Sequence, residues 1–254
     1  MPTKPTDIGT NRTGIATSPI DSQRTIKAAK AAGAGPSPAH NGHALEVERI
    51  ARSRDAGPVG TVPPPATVKG MAKTLVERLQ GHKPTVFIDK LGERLAFERT
   101  GTRLYEALLA KFEVAEVHAG GPTRAELEKI RDDEHRHVGI LRDAMLHIGA
   151  DPTAMTPGAD VVGVAGLGWI QVLTDPRTTL TQCLDVILIA ELADGDGWML
   201  LTSLADALDF DDLSKQFQAA LVEEEEHLML VRGWIAAALL GQAGVAPTPP
   251  VRSV

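Results

Sequence analysis

The sequence predicts an all-α protein. Four long helices form two antiparallel hairpins joined by a long crossover, behind a mostly disordered N-terminal extension. Three observations lead there. Apolar residues recur at steps of three and four through four separate segments. Aromatic residues make up 4% of the chain while 43% is hydrophobic, so Ala and Leu dominate the apolar set and favour helix over sheet. Finally, one polar pattern occurs twice inside those stripes. Glu98 is followed by Glu134-x-x-His137, and Glu191 by Glu224-x-x-His227, with gaps of 36 and 33 residues.

Residues 1–80 are rich in Pro, Gly, Ala, Ser and Thr. Runs such as AAGAGPSPAHNGH and GPVGTVPPPAT cannot bury enough apolar surface to offset chain entropy. This region is expected to be disordered or loosely docked, with short helices near 43–54 and 66–80. It carries 11 Lys+Arg against 6 Asp+Glu, a net of +5, which leaves −12 for residues 81–254. A solvated linker is the default reading of the basic extension. Contact with nucleic acid or another acidic surface is the alternative.

The helical domain is expected over 81–242. Its first stripe runs through Leu91, Leu95, Glu98, Thr102, Tyr105, Leu109 and Phe112, ending near 113. After a loop at 114–122, the GGPT turn places Pro122 or Thr123 at the start of the second helix. There the stripe is Leu127, Ile130, Glu134, His137, Leu141, Ala144 and Ile148. The crossover at 150–176 opens with DPTAMTPGAD and closes with TDPR. Its apolar middle should cross the helices as a short helix or extended strand. Leu184, Leu188, Glu191, Trp198 and Ala205 form the third stripe, with Leu201 and Leu208 alongside. A turn within 206–212 leads to the fourth, with Phe217, Ala220, Glu224, His227, Val231, Trp234 and Ala238. Gly241 should end that helix, and 243–254 should be a flexible tail.

Several classes are excluded. The single cysteine, Cys183, allows no intramolecular disulfide and no Cys-x-x-Cys rubredoxin or zinc-ribbon module. No uncharged apolar run reaches the length of a membrane span, and the N-terminus lacks the apolar core of a secretory signal. A cytoplasmic location is expected.

The six polar residues occupy the middle of their stripes, flanked by apolar residues on both sides. Ionised groups in a core are costly unless paired or bound to metal. A Glu-x-x-His pair at i, i+3 presents carboxylate and imidazole on one helix face, so both can reach one cation. Two such pairs plus two lone glutamates suit two adjacent ions. Four carboxylates also cancel two divalent charges. Mixed oxygen and imidazole ligands favour iron or manganese over a thiolate-preferring metal, with zinc allowed by its affinity order. Glu223, Glu225, Glu226, Asp132 and His135 read as solvent-facing, and Asp133 as a residue that either reaches the edge of the site or serves as a metal entry group. His118 and His147 read as ordinary histidines.

These elements resemble the ferritin-like superfamily, which includes ferritins, bacterioferritins, rubrerythrins and manganese catalases. The resemblance covers 84–149 and 178–240 and rests on Glu98-x6-Tyr105, Glu134-x-x-His137, Glu191 and Glu224-x-x-His227. It implies a ferritin-like four-helix bundle with Glu98, Glu134, His137, Glu191, Glu224 and His227 as metal ligands. By the same resemblance Tyr105 hydrogen-bonds a ligand carboxylate, Glu191. Asp194, three residues after Glu191, is the candidate for orienting the histidines. Trp198, in the place equivalent to Tyr105, reads as core filling ahead of a cover over Glu98. Gly101, Gly195 and Gly197 suggest a close helix approach or a channel.

Three functions follow as expectations. The first is a protein with two Fe ions acting on O2 or H2O2 as a ferroxidase or peroxidase, served by an unknown electron donor. The second keeps the fold but holds two Mn ions as a catalase, or two Fe ions hydroxylating an organic substrate. The third is a metal-stabilised helical protein whose basic extension binds nucleic acid or a partner. Ferritin-like bundles often pair, so a homodimer is compatible with the resemblance.

Overall fold

The computed structural model of the protein describes residues 19–32, 42–64 and 84–245. Among the described residues every regular element is a helix. The chain divides into two compact units, Met1–Pro58 and Val59–Val254.

The first unit contains α1 (Pro19–Ala32) and α2 (Gly42–Asp55). The second of these coincides with the helix expected near 43–54. The first was not anticipated, because its Ala- and Lys-rich sequence has no apolar stripe. Both are largely exposed, including Ile20, Ile26, Leu45, Val47 and Ile50. The helix expected near 66–80 lies outside the described residues.

The second unit holds α3 (Pro84–Phe112), α4 (Arg124–His147), α5 (Pro157–Ala165), α6 (Leu167–Thr174), α7 (Leu180–Ala207) and α8 (Asp211–Gln242). Starts and stops follow local chemistry. Thr123 caps α4 and Thr179 caps α7, each in a reciprocal capping box with Glu126 or Gln182. Gly149, Asp209 and Gly244 end α4, α7 and α8 in the left-handed region, at φ of 83°, 58° and 69°. In each case two amides fold back onto the last turn, as when Val245 N–H reaches the Leu240 carbonyl. The stop of α8 is therefore Gly244 and not Gly241. Gly241 instead makes room for the His118 ring, which a Cβ there would meet at 2.6 Å.

The four long helices pack in adjacent pairs: α3 on α4, α7 on α8, α3 on α7 and α4 on α8. Glu113 meets Arg124 near one turn, while Gly101 meets Glu134 farther along, so α3 and α4 run in opposite directions. By the same logic α7 and α8 are antiparallel, since Gln242 bonds Thr181 and Trp198 packs on Phe217. The crossover is helical, with no extended segment. Gly158 N–H donates to Asp89 at the start of α3, and Lys111 near its end donates to the Asp175 carbonyl. The pair α5–α6 thus travels the length of α3.

That path explains a difference from the sequence reading. The expected stripes of α4 and α8 are buried throughout. On α3 and α7, the stripe residues Thr102, Phe112 and Leu188 are only half-buried. In addition α3 buries Phe97, Leu104 and Leu108 off its expected stripe. It touches α4, α5, α6 and α7, so more than one face is covered. Phe97, for example, meets the Trp169 ring of α6 edge-on.

The apolar core falls into two clusters. One gathers Leu104, Leu108, Leu127, Ile130, Leu184, Ile187 and Val231; the other gathers Leu91, Leu95, Leu141, Trp198, Leu201 and Phe217. Between them along each helix lies a belt of polar side chains. Among the described residues no helix is long and apolar enough to cross a membrane.

Candidate metal centre

All six residues singled out by the duplicated pattern reach this belt. Glu98, Glu134, His137, Glu191, Glu224 and His227 are at most 2% exposed. Their ligand atoms form overlapping groups in which every atom lies within 4.8 Å of the others. One group is Glu98, His137 and Glu224; another is Glu134, Glu191, Glu224 and His227. Glu224 is central to both. Its Oε1 lies 2.8 Å from His137 Nδ1, and its Oε2 lies 3.3 Å from His227 Nδ1. Glu98 Oε2 is 3.6 Å from His137 Nδ1, and Glu191 Oε2 is 4.0 Å from His227 Nδ1.

Five fully buried atoms of this cluster have no hydrogen-bond partner outside it: Glu98 Oε2, Glu134 Oε2 and Glu191 Oε2 have none at all, and His137 Nδ1 and Glu224 Oε1 face only each other. Buried polar atoms without partners are rare because each costs about 1–3 kcal/mol. Here they are all hard oxygen or imidazole donors in one cluster, the donor set for a pair of divalent cations. The residues present therefore fit such a pair.

The outer nitrogens of the two histidines are held by two acids, Glu223 and the edge residue Asp133. His137 Nε2 donates to Glu223 at 2.8 Å, and His227 Nε2 donates to Asp133 at 3.2 Å. Glu223 is thus half-buried and engaged, not solvent-facing. Each of these acids directly precedes the glutamate of one Glu-x-x-His pair and serves the histidine of the other. A proton on Nε2 leaves Nδ1 of the neutral ring as the inward-facing lone pair. The sequence did carry a signal for this: both pairs read acid-Glu-x-x-His. Asp132, His135, Glu225 and Glu226 face solvent as expected.

Asp194 is buried, but it does not orient a histidine. Its partner is Arg94, whose guanidinium also donates to Glu98. Arg94 was overlooked, though it stands four residues before Glu98 on the same helix face. It is 3% exposed and lies over the Phe97 and Trp198 rings. Tyr105 donates to Glu191 Oε1, the bond that the resemblance implied. Trp198 fills core between His137 and Phe217, with ring centroids 5.3 and 5.6 Å away. Two glycines admit polar groups: a Cβ at Gly101 would overlap the Glu134 carboxylate, and one at Gly197 would overlap the Arg94 guanidinium. Gly195 faces open space. His118 and His147 lie away from the cluster.

The electrostatics show how strongly these groups act on one another. Burial and the neighbouring Glu224 push the Glu191 carboxyl up to about 8. Burial raises Glu134 as well, with Glu224 and Asp194 adding to it. Asp194 is raised by burial despite Arg94. Burial opposes charge on His137, yet the adjacent Glu224 and Glu98 carboxylates lift it to about 11. Glu224 is held at about 2, because both histidines outweigh its burial. Asp133 is also held at about 2, against burial, by Lys129, Arg136 and His227. Burial and the Glu191 carboxylate raise the Tyr105 hydroxyl, so it stays protonated as a donor. Protons and cations therefore compete for the same atoms.

Comparison with protein-family models, with curated proteins and with solved structures gives no match to this chain. What fold and site define is a class: an all-helical protein with a buried carboxylate–imidazole cluster compatible with a two-metal centre. The particular protein within that class is a matter of proposal.

Proposed function

We propose that this is a ferritin-like four-helix bundle in which Glu98, Glu134, His137, Glu191, Glu224 and His227 hold two adjacent iron ions. Its activity is that of an oxidoreductase consuming O2 or H2O2, of the ferroxidase or peroxidase type. One observation carries the reading: six buried ligand side chains from four helices converge, with five of their atoms lacking any other partner. The antiparallel pairs and the crossover along α3 are the connectivity expected of such a bundle.

Held by these residues, iron would supply the electrons that reduce O2 or peroxide. The chain's own residues set the conditions. Glu224 turns one oxygen toward each histidine, so it would contribute a donor to both halves of the cluster. Asp133 and Glu223 fix the rings so that Nδ1 points inward. The Tyr105 hydroxyl fixes Glu191 and keeps a proton beside the cluster. Apolar clusters on both sides keep bulk water out. The charges also fit, since Arg94 and Asp194 offset each other and four carboxylates remain for two divalent ions. Manganese in the same ligands is the second reading, with a catalase activity.

Anaerobic titration with Fe(II) followed by O2 tests the proposal. Two equivalents should bind, and O2 should then be consumed at an electrode with growth of near-ultraviolet charge-transfer absorption. Failure to bind two equivalents, or inertness of the loaded protein to both O2 and H2O2, would refute it. Metal analysis of protein purified without added metal separates iron from manganese.

A further inference from the structure

A fifth buried carboxylate reaches the cluster. Asp194 stands one turn beyond Glu191 on α7 and is 2% exposed. One of its oxygens lies within 4.8 Å of oxygens from Glu98, Glu134 and Glu224. Asp194 shares such a group with neither Glu191 nor either histidine, and the guanidinium it has in common with Glu98 ties it to the Glu98 side of the belt. There Arg94 donates to both Glu98 and Asp194, holding the two carboxylates next to each other. Gly197 leaves the space that this guanidinium needs. The matching step on α3, three residues beyond Glu98, is Gly101, whose place is taken by the Glu134 carboxylate. The duplicated pattern thus breaks at this step, with a carboxylate in one half and none in the other.

We infer that Asp194 is an additional ligand for the cation on the Glu98 side and not for the one on the side of Glu191 and His227, with Arg94 as the positioning residue that keeps Glu98 and Asp194 together. The inference rests on the two-cation reading above. Its consequence is two unlike metal positions in a ligand set that is spaced almost evenly along the sequence. The position with Asp194 gains an oxygen donor and suits a harder ion of higher coordination number.

Anaerobic Co(II) titration of the full chain tests this, because cobalt d–d absorption is weak at high coordination number and stronger at low. The wild type should show two unequal steps, one weakly and one more strongly absorbing. In the Arg94→Met/Asp194→Asn double variant both charges are gone, so the ion pair itself is not left half-broken. The weakly absorbing step should lose about tenfold in affinity and gain intensity, while the other step holds. If the double variant keeps both wild-type steps and spectra, Asp194 is only the counter-ion of Arg94. The inference then falls while the two-cation reading stands. Two identical steps in the wild type would overturn it without any variant. Binding of fewer than two equivalents by the wild type would remove the reading and the inference together.

Discussion

Glu98 on α3 and Glu191 on α7 hold equivalent places in the duplicated pattern, but their neighbours on the same helix face differ at every step. Four residues before them stand Arg94 and Ile187. Three residues after come Gly101 and Asp194, and seven after come Tyr105 and Trp198. The first half contributes a cation and a gap; the second contributes an acid. These differences are complementary across the helix pair. Arg94 reaches Asp194, Tyr105 reaches Glu191, and Gly197 gives way to Arg94. The halves share their candidate ligand residues, yet each is completed by side chains from the other. The crossing of Asp133 to His227 and Glu223 to His137 repeats that lesson on α4 and α8.

The largest expected effect sharpens this comparison. Glu224 is present in every candidate ligand group, whereas Glu98 is absent from the one built on His227. Glu224→Ala should therefore lose both cations and Glu98→Ala chiefly one, as read by metal analysis after desalting. His227→Ala should likewise fail to hold two equivalents. Equal retention of two equivalents in all three variants would show that the ligands are assigned wrongly.

Breaking the crossed acids comes next. Asp133→Ala should weaken the cation on His227, and Glu223→Ala the one on His137, each by about 10–100-fold. Stepwise binding isotherms would show one step moving in each variant, and a different one.

Gly101→Ala follows, because its methyl overlaps the Glu134 carboxylate. A cost of about 1–3 kcal/mol is expected in denaturant unfolding. Gly195→Ala, on the opposite half and facing open space, should instead stabilise by about 0.5–1 kcal/mol through helix propensity.

The metal-stripped protein should also respond to pH, in a direction that the shifts fix. Glu191, at about 8 in the fold against an ordinary 4.5, contributes stability that is complete below 4.5 and is lost as pH rises toward 8. Glu134 shifts in the same direction. His137 adds a second loss, starting above its ordinary 6.5 and finishing near 11. Glu224 and Asp133, held at about 2, have their contributions in full above the ordinary carboxylate range, so they are flat through this window. The melting temperature of the stripped protein should thus fall by several degrees between pH 5 and 8. Loading with Mn(II) should reverse the trend and release protons, measurable with an indicator in weak buffer. A melting temperature that rises with pH in the stripped protein would contradict the buried-carboxyl assignment.

Much of this was legible in the sequence, for a local reason. Helix periodicity fixes which residues share a face, so the stripes of α4 and α8 could be read residue by residue. Capping chemistry is local too, and Thr123 marks the start of α4 as the GGPT turn suggested. The convergence of six polar residues was legible because buried charge is too costly to leave unpaired. The role of Asp194 was not legible, because position on a helix face says nothing about which neighbour lies across from it. Arg94 was missed for the same reason, and because a basic residue inside a stripe resembles a boundary residue.

By itself, then, the sequence determined the helices, their buried faces and the level at which Glu98, Glu134, His137, Glu191, Glu224 and His227 meet. Those follow from spacing along one chain and from the cost of burying polar atoms. Only the tertiary structure decided the pairings across helices: Arg94 with Asp194, Asp133 with His227, Glu223 with His137, and Glu134 against Gly101. A pairing depends on which helices are neighbours and how they are rotated, and that is set by the packing of the whole core.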